Sequence, residues 1–507
     1  MASLTYTGYE RGNNLKQMLQ QFYGNAKDLT IDYNGQIRPL FQHGPNLYPL
    51  FIGKLSRESS DRFEFSFYVK EKEEESEKLL GSTPIANPEN PSSPSLALAY
   101  RCLSQYTGQT WPWGALNGIR PGHVVEGLMG NYPVDLISSI LEDRYFVSEA
   151  KAKLAVETGL REKLLLEKIP RQSYGIYIGV PFCPTRCAYC SFTTPEGIGQ
   201  SSAKGASFLD QLDREVTDFI HWPEEAVQER LGNLAAVYIG GGTPGDFSED
   251  DFARLVQIIR KLPLGPATEI TMEMGRADVF TRKKLQILKE AGIQRICLNP
   301  QSLDDGVLER IGRPTSAAQI IEAYRLSKEE GMAFINLDFI LGLPGETENS
   351  FIRNIEEAIK LNPESITIHS LALKRGSDRY REFFGQNLKD TNPLEAGDMD
   401  DQTLISTMDK AYQSLRQAGY KPYYLYRHRL GLAGLENLSW AKPGQETLYN
   451  ILMMSDRYPV LSFGTPAISK RVDGGKAKRL ANPKSLSLYL RKDRSYWKEK
   501  MDFMLLT

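Results

Sequence analysis

Between Tyr174 and Leu371 short apolar runs alternate with segments of helical periodicity, and this rhythm limits the fold more than any other feature. The strand-like runs are 175–180, 235–239, 269–274, 295–299, 335–340 and 365–371. Helical spacing occupies 208–220, 251–261, 282–291, 317–330 and 351–361 between them. Strands joined through helices run parallel, so the spacing predicts βαβ units around one parallel sheet, open or closed into a partial barrel. Either geometry gathers functional residues at the carboxyl ends of the strands. Directly after the first run stand Cys183, Cys187 and Cys190, in C-x3-C-x2-C spacing.

Thiolates are soft ligands that suit iron–sulfur clusters and zinc. A [4Fe–4S] cluster ordinarily takes four Cys, so three in one loop leave one iron without a protein thiolate. An open coordination position is what a metal needs to do chemistry. Other readings stand beside this one. Cys187 and Cys190 alone have the spacing of a thioredoxin-like redox pair, which leaves Cys183 unexplained. A zinc knuckle would want a fourth ligand nearby, and the next His, His221, is far downstream. Buried free thiols are common one at a time, less so three within eight residues.

A chain of 507 residues exceeds one compact core. With 61 Lys and Arg against 63 Asp and Glu, a general nucleic-acid or acidic-surface binder is not expected. Five cysteines, three of them in one loop, do not make a disulfide framework. The N-terminus lacks a basic stretch followed by an apolar one, and no apolar run reaches membrane-spanning length, so a cytoplasmic protein is expected.

Residues 1–92 read as a small α+β unit, with a helix over 14–23 and strands over 29–33 and 62–69. The charge run 70–78 reads as a solvated face or hairpin tip, and the proline-rich 81–95 as a loop or linker. Residues 93–170 read as mainly helical, with Trp111 and Trp113 as packing anchors. The βα region covers 171–374. In 375–507, a helix over 403–418 and strands over 420–427 and 458–463 are expected. Arg427, His428 and Arg429 read as a solvated basic corner rather than a receptor for carboxylates. His369, near the end of the sixth strand, is equally a site residue or a hydrogen-bonded barrel histidine.

Further polar motifs recur at strand ends. Gly240-Gly-Gly-Thr-Pro244 follows the second strand, where glycines let a backbone approach a ligand closely. Glu273, Gln301, Arg313 and Asp338 follow on successive units, a set suited to hydroxyl and carboxylate partners.

The cysteine spacing, with aromatic Tyr189 just before the third Cys, resembles the radical S-adenosylmethionine superfamily. Tyr177, the glycine run, Gln301-Ser302, Gly312-Arg313 and Asp338 before Gly342-Leu-Pro-Gly narrow the resemblance to the oxygen-independent coproporphyrinogen III oxidase family. Trp113-Gly and Gly118-Ile-Arg-Pro121 are similar to its longer HemZ branch. The resemblance implies a partial (β/α)6 barrel with a C-terminal cap domain. It implies a [4Fe–4S] cluster on Cys183, Cys187 and Cys190, whose fourth iron takes the amino and carboxylate groups of S-adenosylmethionine. The matching positions that contact this cofactor are Tyr177, Tyr189, Gly241, Gly242, Thr243, Glu273, Gln301, Arg313, Asp338 and Ala372.

By that resemblance the protein is an oxidoreductase acting on a tetrapyrrole, decarboxylating coproporphyrinogen III propionates to vinyls. The electron donor it implies is of flavodoxin or ferredoxin type. The alternatives are a haem carrier that keeps the cluster, and a radical enzyme acting on haem. Three departures bear on the choice. The family's His two residues after the strand Tyr is Gly179 here, and the oxidases' fourth Cys is Phe192. The haem-chaperone motif His-Asn-x-x-Tyr-Trp corresponds to Tyr449-Asn-Ile-Leu-Met-Met454, without the His. No residue is assigned a catalytic role, and the sequence sets no oligomeric state.

Overall fold

The computed structural model describes residues 92–116, 120–190, 203–372, 399–428 and 431–505. Before residue 92 it describes Met18, Ser76 and five strands. These are β1 (Leu29–Ile31), β2 (Gln36–Pro39), β3 (Leu50–Arg57), β4 (Phe63–Lys70) and β5 (Lys78–Ile85), an antiparallel sheet in chain order. The charge run joins β4 to β5, and most of it, like most of the expected 14–23 helix, lies outside the described residues. The expected loop or linker over 81–95 is overturned at both ends, and 86–91 lies outside the described residues. β5 runs through Pro84 to Ile85, and a helix starts at Ser92. Proline lacks an N–H, but an edge strand such as β5 and the first turn of a helix need none there. Pro84 and Pro94 occupy those two kinds of place.

Four helices follow, Ser92–Thr107, Pro121–Met129, Val134–Tyr145 and Glu149–Glu167. The expected strands then appear as β6 (Ser173–Val180), β7 (Asn233–Gly241), β8 (Glu269–Gly275), β9 (Arg295–Gln301), β10 (Phe334–Leu341) and β11 (Ser365–Ser370). All six pair in parallel and in chain order, the parallel sheet the alternation predicts and the partial (β/α)6 barrel the resemblance implies. Helix Ala203–Ile220 shows why its segment folds as it does. Phe208, Leu209, Leu212, Val216 and Phe219 recur on one face, and all are buried.

The C-terminal region does not form a separate layer. β12 (Lys421–Arg427) and β13 (Glu436–Ala441) extend the sheet antiparallel beyond β11. β14 (Val460–Gly464) adds in parallel to β6, and β15 (Ile468–Asp473) and β16 (Lys476–Ala481) complete eleven strands. An open parallel edge exposes unpaired N–H and C=O groups, and these additions cover both edges of the barrel. Among the described residues no helix is long and apolar enough to cross a membrane.

One buried cluster ties the N-terminal helices to the barrel. Lys151 Nζ reaches Glu436 Oε1 at 2.7 Å and Asp409 Oδ1 at 2.9 Å, and Trp113 Nε1 donates to Glu436 Oε2 at 2.6 Å. The Lys151 and Glu436 side chains are 2% and 0% exposed, so each charge depends on the other for its missing water. Lys151→Met strands the Glu436 carboxylate and is expected to cost about 3–5 kcal/mol in denaturant unfolding. Lys151→Met with Glu436→Leu is expected to restore much of that loss. Equal losses in the single and double variants would contradict the pairing.

Candidate functional site

The cysteine loop leaves the end of β6 and is clamped by the end of β7. Gly242 N–H donates to Val180 O at 2.7 Å and Thr243 N–H to Phe182 O at 2.6 Å. Thr243 Oγ1 lies 3.4 Å from Cys183 Sγ, and Ala188 N–H donates to Ile311 O at 3.1 Å. Such an approach needs glycine. A Cβ on Gly242 would stand 2.3 Å from Phe182 O and 3.1 Å from Cys183 Sγ, and Gly241 has φ +110°. Cys187 is buried, while Cys183 and Cys190 are partly exposed.

Gly179, the departure two residues after Tyr177, has a local cause. A Cβ there would meet Pro466 O at 2.3 Å, because β14 lies against β6 at this point. Phe192 lies outside the described residues.

At the carboxyl ends of the strands opens a cavity of about 350 Å³. Its lining alternates along each strand: Cys297, Asn299 and Gln301 on β9, Asn336, Asp338 and Ile340 on β10, Thr367 and His369 on β11. Tyr424, Tyr426 and His428 continue from β12, and Asn437 and Ser439 from β13. Tyr189 and Cys190 complete the wall, so the cysteine loop and the strand ends share one space.

Glu273 is the best-tied acid of the cavity. It accepts from Asn299 Nδ2 at 2.8 Å and from Tyr238 O–H at 3.3 Å. Burial pushes its carboxyl up to about 7, the Asp338 charge adds to the rise, and the hydrogen bonds from Asn299 and Tyr238 oppose it. Asp338 Oδ1 accepts from Asn336 Nδ2 at 2.6 Å, with His369 Nε2 at 3.9 Å. Two buried amide oxygens of residues that line this space, Asn299 Oδ1 and Gln301 Oε1, have no partner. Gln301 also holds φ +69°, an uncommon backbone for a residue with a side chain. The wall is therefore rich in acceptors awaiting donors.

Of the ten positions singled out beside the cysteines, Tyr189, Glu273, Gln301, Asp338 and Ala372 line this cavity. Arg313 reaches it indirectly, donating to Tyr189 OH at 3.0 Å and to Asn299 O. Gly241, Gly242 and Thr243 serve the clamp, and Tyr177 stacks on Tyr449 and Tyr238, 6.0 and 6.3 Å between ring centroids. Tyr449, where the chaperone motif has His, belongs to that stack, and Asn450 beside it lines the cavity.

His369 is a cavity residue, its Nδ1 3.4 Å from Tyr426 OH. Arg427 is not a solvated corner. It is an internal strut, donating to Gly434 O at 3.1 Å and Leu116 O at 3.0 Å, and Arg429 lies outside the described residues. The cavity residues that sequence reasoning passed over, such as Asn336, Thr367, Asn437 and Ser439, carried one signal. They are polar residues two apart on strands otherwise apolar, which marks one face. Among the described residues no three His, Cys, Asp or Glu side chains converge on a single ion. A mononuclear site needs that convergence, and a cluster holding one thiolate per iron does not.

A model of the radical SAM superfamily matches residues 177–358. The oxygen-independent coproporphyrinogen-III oxidase-like protein HemZ of Bacillus subtilis is 35% identical over 409 residues, 79% of this chain and 79% of its own length. The heme chaperone HemW of Haemophilus influenzae is 28% identical over 287 residues, 56% of this chain and 67% of its own. Among solved structures, coproporphyrinogen III oxidase (HemN) of Escherichia coli aligns with a TM-score of 0.45 at 20% identity, over 60% of this chain and 66% of that one.

The Glu273 carboxyl is expected to titrate with a midpoint near 7 in carbon-13 NMR of labelled protein, and lower in Asp338→Asn. Its folded pKa lies above the ordinary carboxylate value, so the folded state holds this proton more tightly than the unfolded chain. Its contribution to stability is then present in acid and lost as pH rises from the ordinary carboxylate range to about 7, at most about 3 kcal/mol. Glu273→Gln should flatten that part of the stability profile. A midpoint near the ordinary carboxylate value would contradict the burial.

Proposed function

This chain belongs to the radical SAM superfamily and, within it, to the oxygen-independent coproporphyrinogen-III oxidase-like proteins, and we propose that it is an oxidoreductase acting on a tetrapyrrole. Membership implies a [4Fe–4S] cluster and S-adenosylmethionine. The observation that carries the reading is that Cys190 and Tyr189 open into the same cavity as the acceptor-lined strand ends.

The residues fit the two groups. Cys183, Cys187 and Cys190 would hold three irons and leave the fourth open to the cofactor's amino and carboxylate groups. A sulfonium, an iron-bound amine and two ribose hydroxyls are positive or donating, and they suit Glu273, Asp338 and the unpartnered oxygens of Asn299 and Gln301. Arg313 fixes Tyr189 beside Cys190, and the clamp at Gly241, Gly242 and Thr243 fixes the loop. Ala372 completes the cradle, and Tyr177 supports it from behind through its stack on Tyr238. When bound, the cluster and its cofactor supply one-electron cleavage of the sulfonium, which yields a radical able to take hydrogen from an unreactive carbon. The strands and cysteine loop hold that reaction in a walled space and keep competing partners out.

The preferred substrate is coproporphyrinogen III, whose propionates would lose hydrogen and carbon dioxide to become vinyls. A second reading, haem as ligand or substrate, is favoured by the far wall. There the described lining offers His369, His428, Tyr424 and Tyr426, and no Lys or Arg for carboxylates.

Reconstituted protein incubated without oxygen with dithionite, S-adenosylmethionine and coproporphyrinogen III tests both by mass spectrometry. Vinyl product with 5′-deoxyadenosine supports the oxidase, and deoxyadenosine with unchanged porphyrin overturns it. Haem binding without turnover supports the carrier. Cys187→Ala is expected to abolish the brown cluster absorbance and all cofactor cleavage, and unchanged iron in that variant would contradict the ligand assignment.

A further inference from the structure

Among the described residues none before Tyr189 lines the cavity, yet one face of helix Pro121–Met129 reaches the element at its inner end. Arg120, His123 and Glu126 are spaced by three where that helix starts, so they share a side. Arg120 Nη1 donates to Met454 O at 2.9 Å, and His123 Nε2 lies 3.1 Å from the same oxygen. Asp456 stands 3.7 Å from Arg120 and 3.6 Å from His123 Nδ1, and Glu126 pairs with Arg457.

Met454 ends helix Leu448–Met454, which lies at the amino ends of the strands, away from the cysteine loop. Glu269 and Arg295, the first residues of β8 and β9, hold its start. Glu269 accepts from Leu448 N–H at 2.9 Å and from Tyr449 N–H at 3.3 Å, and Arg295 donates to Glu446 O at 3.0 Å. At the other end Lys470 Nζ, on β15, donates to Leu452 O at 2.7 Å, Met453 O at 3.0 Å and Ser455 O. A carboxylate at the amino end and cations at the carboxyl end match the helix dipole and its orphan N–H and C=O groups. Seven residues do not sustain a helix alone in water, so this one depends on its anchors.

Thr447 and Asn450 line the same cavity as Tyr189 and Cys190, so the cavity runs from the cysteine loop down to this helix. Tyr449 stacks on Tyr238 at 4.9 Å between centroids, and Tyr238 OH lies 3.7 Å from Cys297 Sγ, also in the cavity wall. The plain explanation is ordinary capping that docks the N-terminal helices on the barrel. It accounts for Lys470 and leaves unexplained why two further donors from another element converge on one carbonyl at the cavity's inner end. Burial pushes the Lys470 ammonium down to about 7, so near neutrality its charge is only partly present, whereas a guanidinium keeps its own.

We propose that helix Leu448–Met454 is the floor of the reaction cavity and that Arg120, with His123, is the positioning residue that holds it. The N-terminal helices thereby close the amino end of the barrel against water. The proposal rests on reading this cavity as the reaction space given above. A radical formed there needs a closed wall beneath it as well as around it.

Arg120→Met with His123→Leu removes both donors from Met454 O at side chains 33% and 37% exposed, which leaves the core packed. In hydrogen–deuterium exchange of the full chain without iron, the 448–456 amides should exchange roughly tenfold faster in this variant. Iodoacetamide should alkylate Cys297 severalfold faster, read by peptide mass. Cys102, buried in helix Ser92–Thr107, should stay as slow as in the wild type. Arg120→Lys keeps a donor for Met454 O and should remain near wild type in both measurements. Unchanged exchange and unchanged Cys297 alkylation in the double variant would overturn the brace. Cys297 and Cys102 rising together, with a lower melting temperature, would overturn it too, because the two groups would then serve global stability alone. Faster exchange over 448–456 with Cys297 as slow as before would overturn the floor. The expected pattern in a protein that takes up no iron would sink the cluster reading and leave the floor standing.

Discussion

The site exists because two strand ends meet with no side chain between them. Where the end of β7 crosses the start of the cysteine loop, the backbone of Gly242 and Thr243 hydrogen-bonds Val180 and Phe182 directly. A single Cβ on Gly242 would press into Phe182 O and crowd Cys183 Sγ. The loop is therefore positioned by main chain, which is stiff, rather than by side-chain contacts that can relax. The glycine run, read alone as a tight turn or a ligand cradle, first of all sets where the thiolates sit.

That placement gives the electrostatics of the cavity their meaning. Glu273, Asp338 and the amides of Asn299 and Gln301 stand close together, and Glu273 holds its proton up to about 7 because it is buried and the Asp338 charge is near. A protein seldom leaves buried acceptors unmet, and Asn299 Oδ1 and Gln301 Oε1 are two such exceptions. Gln301, with φ +69°, adds an uncommon backbone conformation at the same strand end.

The barrel was legible because its signal is local. Each parallel strand is an apolar run and each helix a periodic one, so 295–299 and 282–291 could be read without knowing their neighbours. What escaped depended on long-range contact. Nothing local marks Glu436 as the partner of Lys151, nor Val460–Gly464 as the strand beside β6 rather than part of a separate cap. Arg427 looked like surface because its neighbours are His428 and Arg429. Its actual surroundings, Gly434 and Leu116, come from a turn and from a segment more than three hundred residues away. The site was half visible. Carboxylates at strand ends stood out, while the amides and hydroxyls two residues apart needed the sheet to show which way they face.

The two departures inside the described fold share one explanation. Gly179 replaces the expected His where Pro466 O comes within 2.3 Å of any Cβ, and Pro466 follows the strand that extends the barrel past β6. Tyr449 replaces the chaperone His and is packed between Tyr177 and Tyr238, closing the β6–β7 side with rings. Both positions have been absorbed into packing by the C-terminal addition. Neither imidazole can then be handed to a substrate from this side of the barrel. On the opposite side, β11, β12 and the residue after it bring His369, Tyr424, Tyr426 and His428 to the cavity. These rings and imidazoles are separated in the sheet from the clamp that fixes the cysteine loop, which lies at the ends of β6 and β7. The far wall can change its chemistry without disturbing the thiolates.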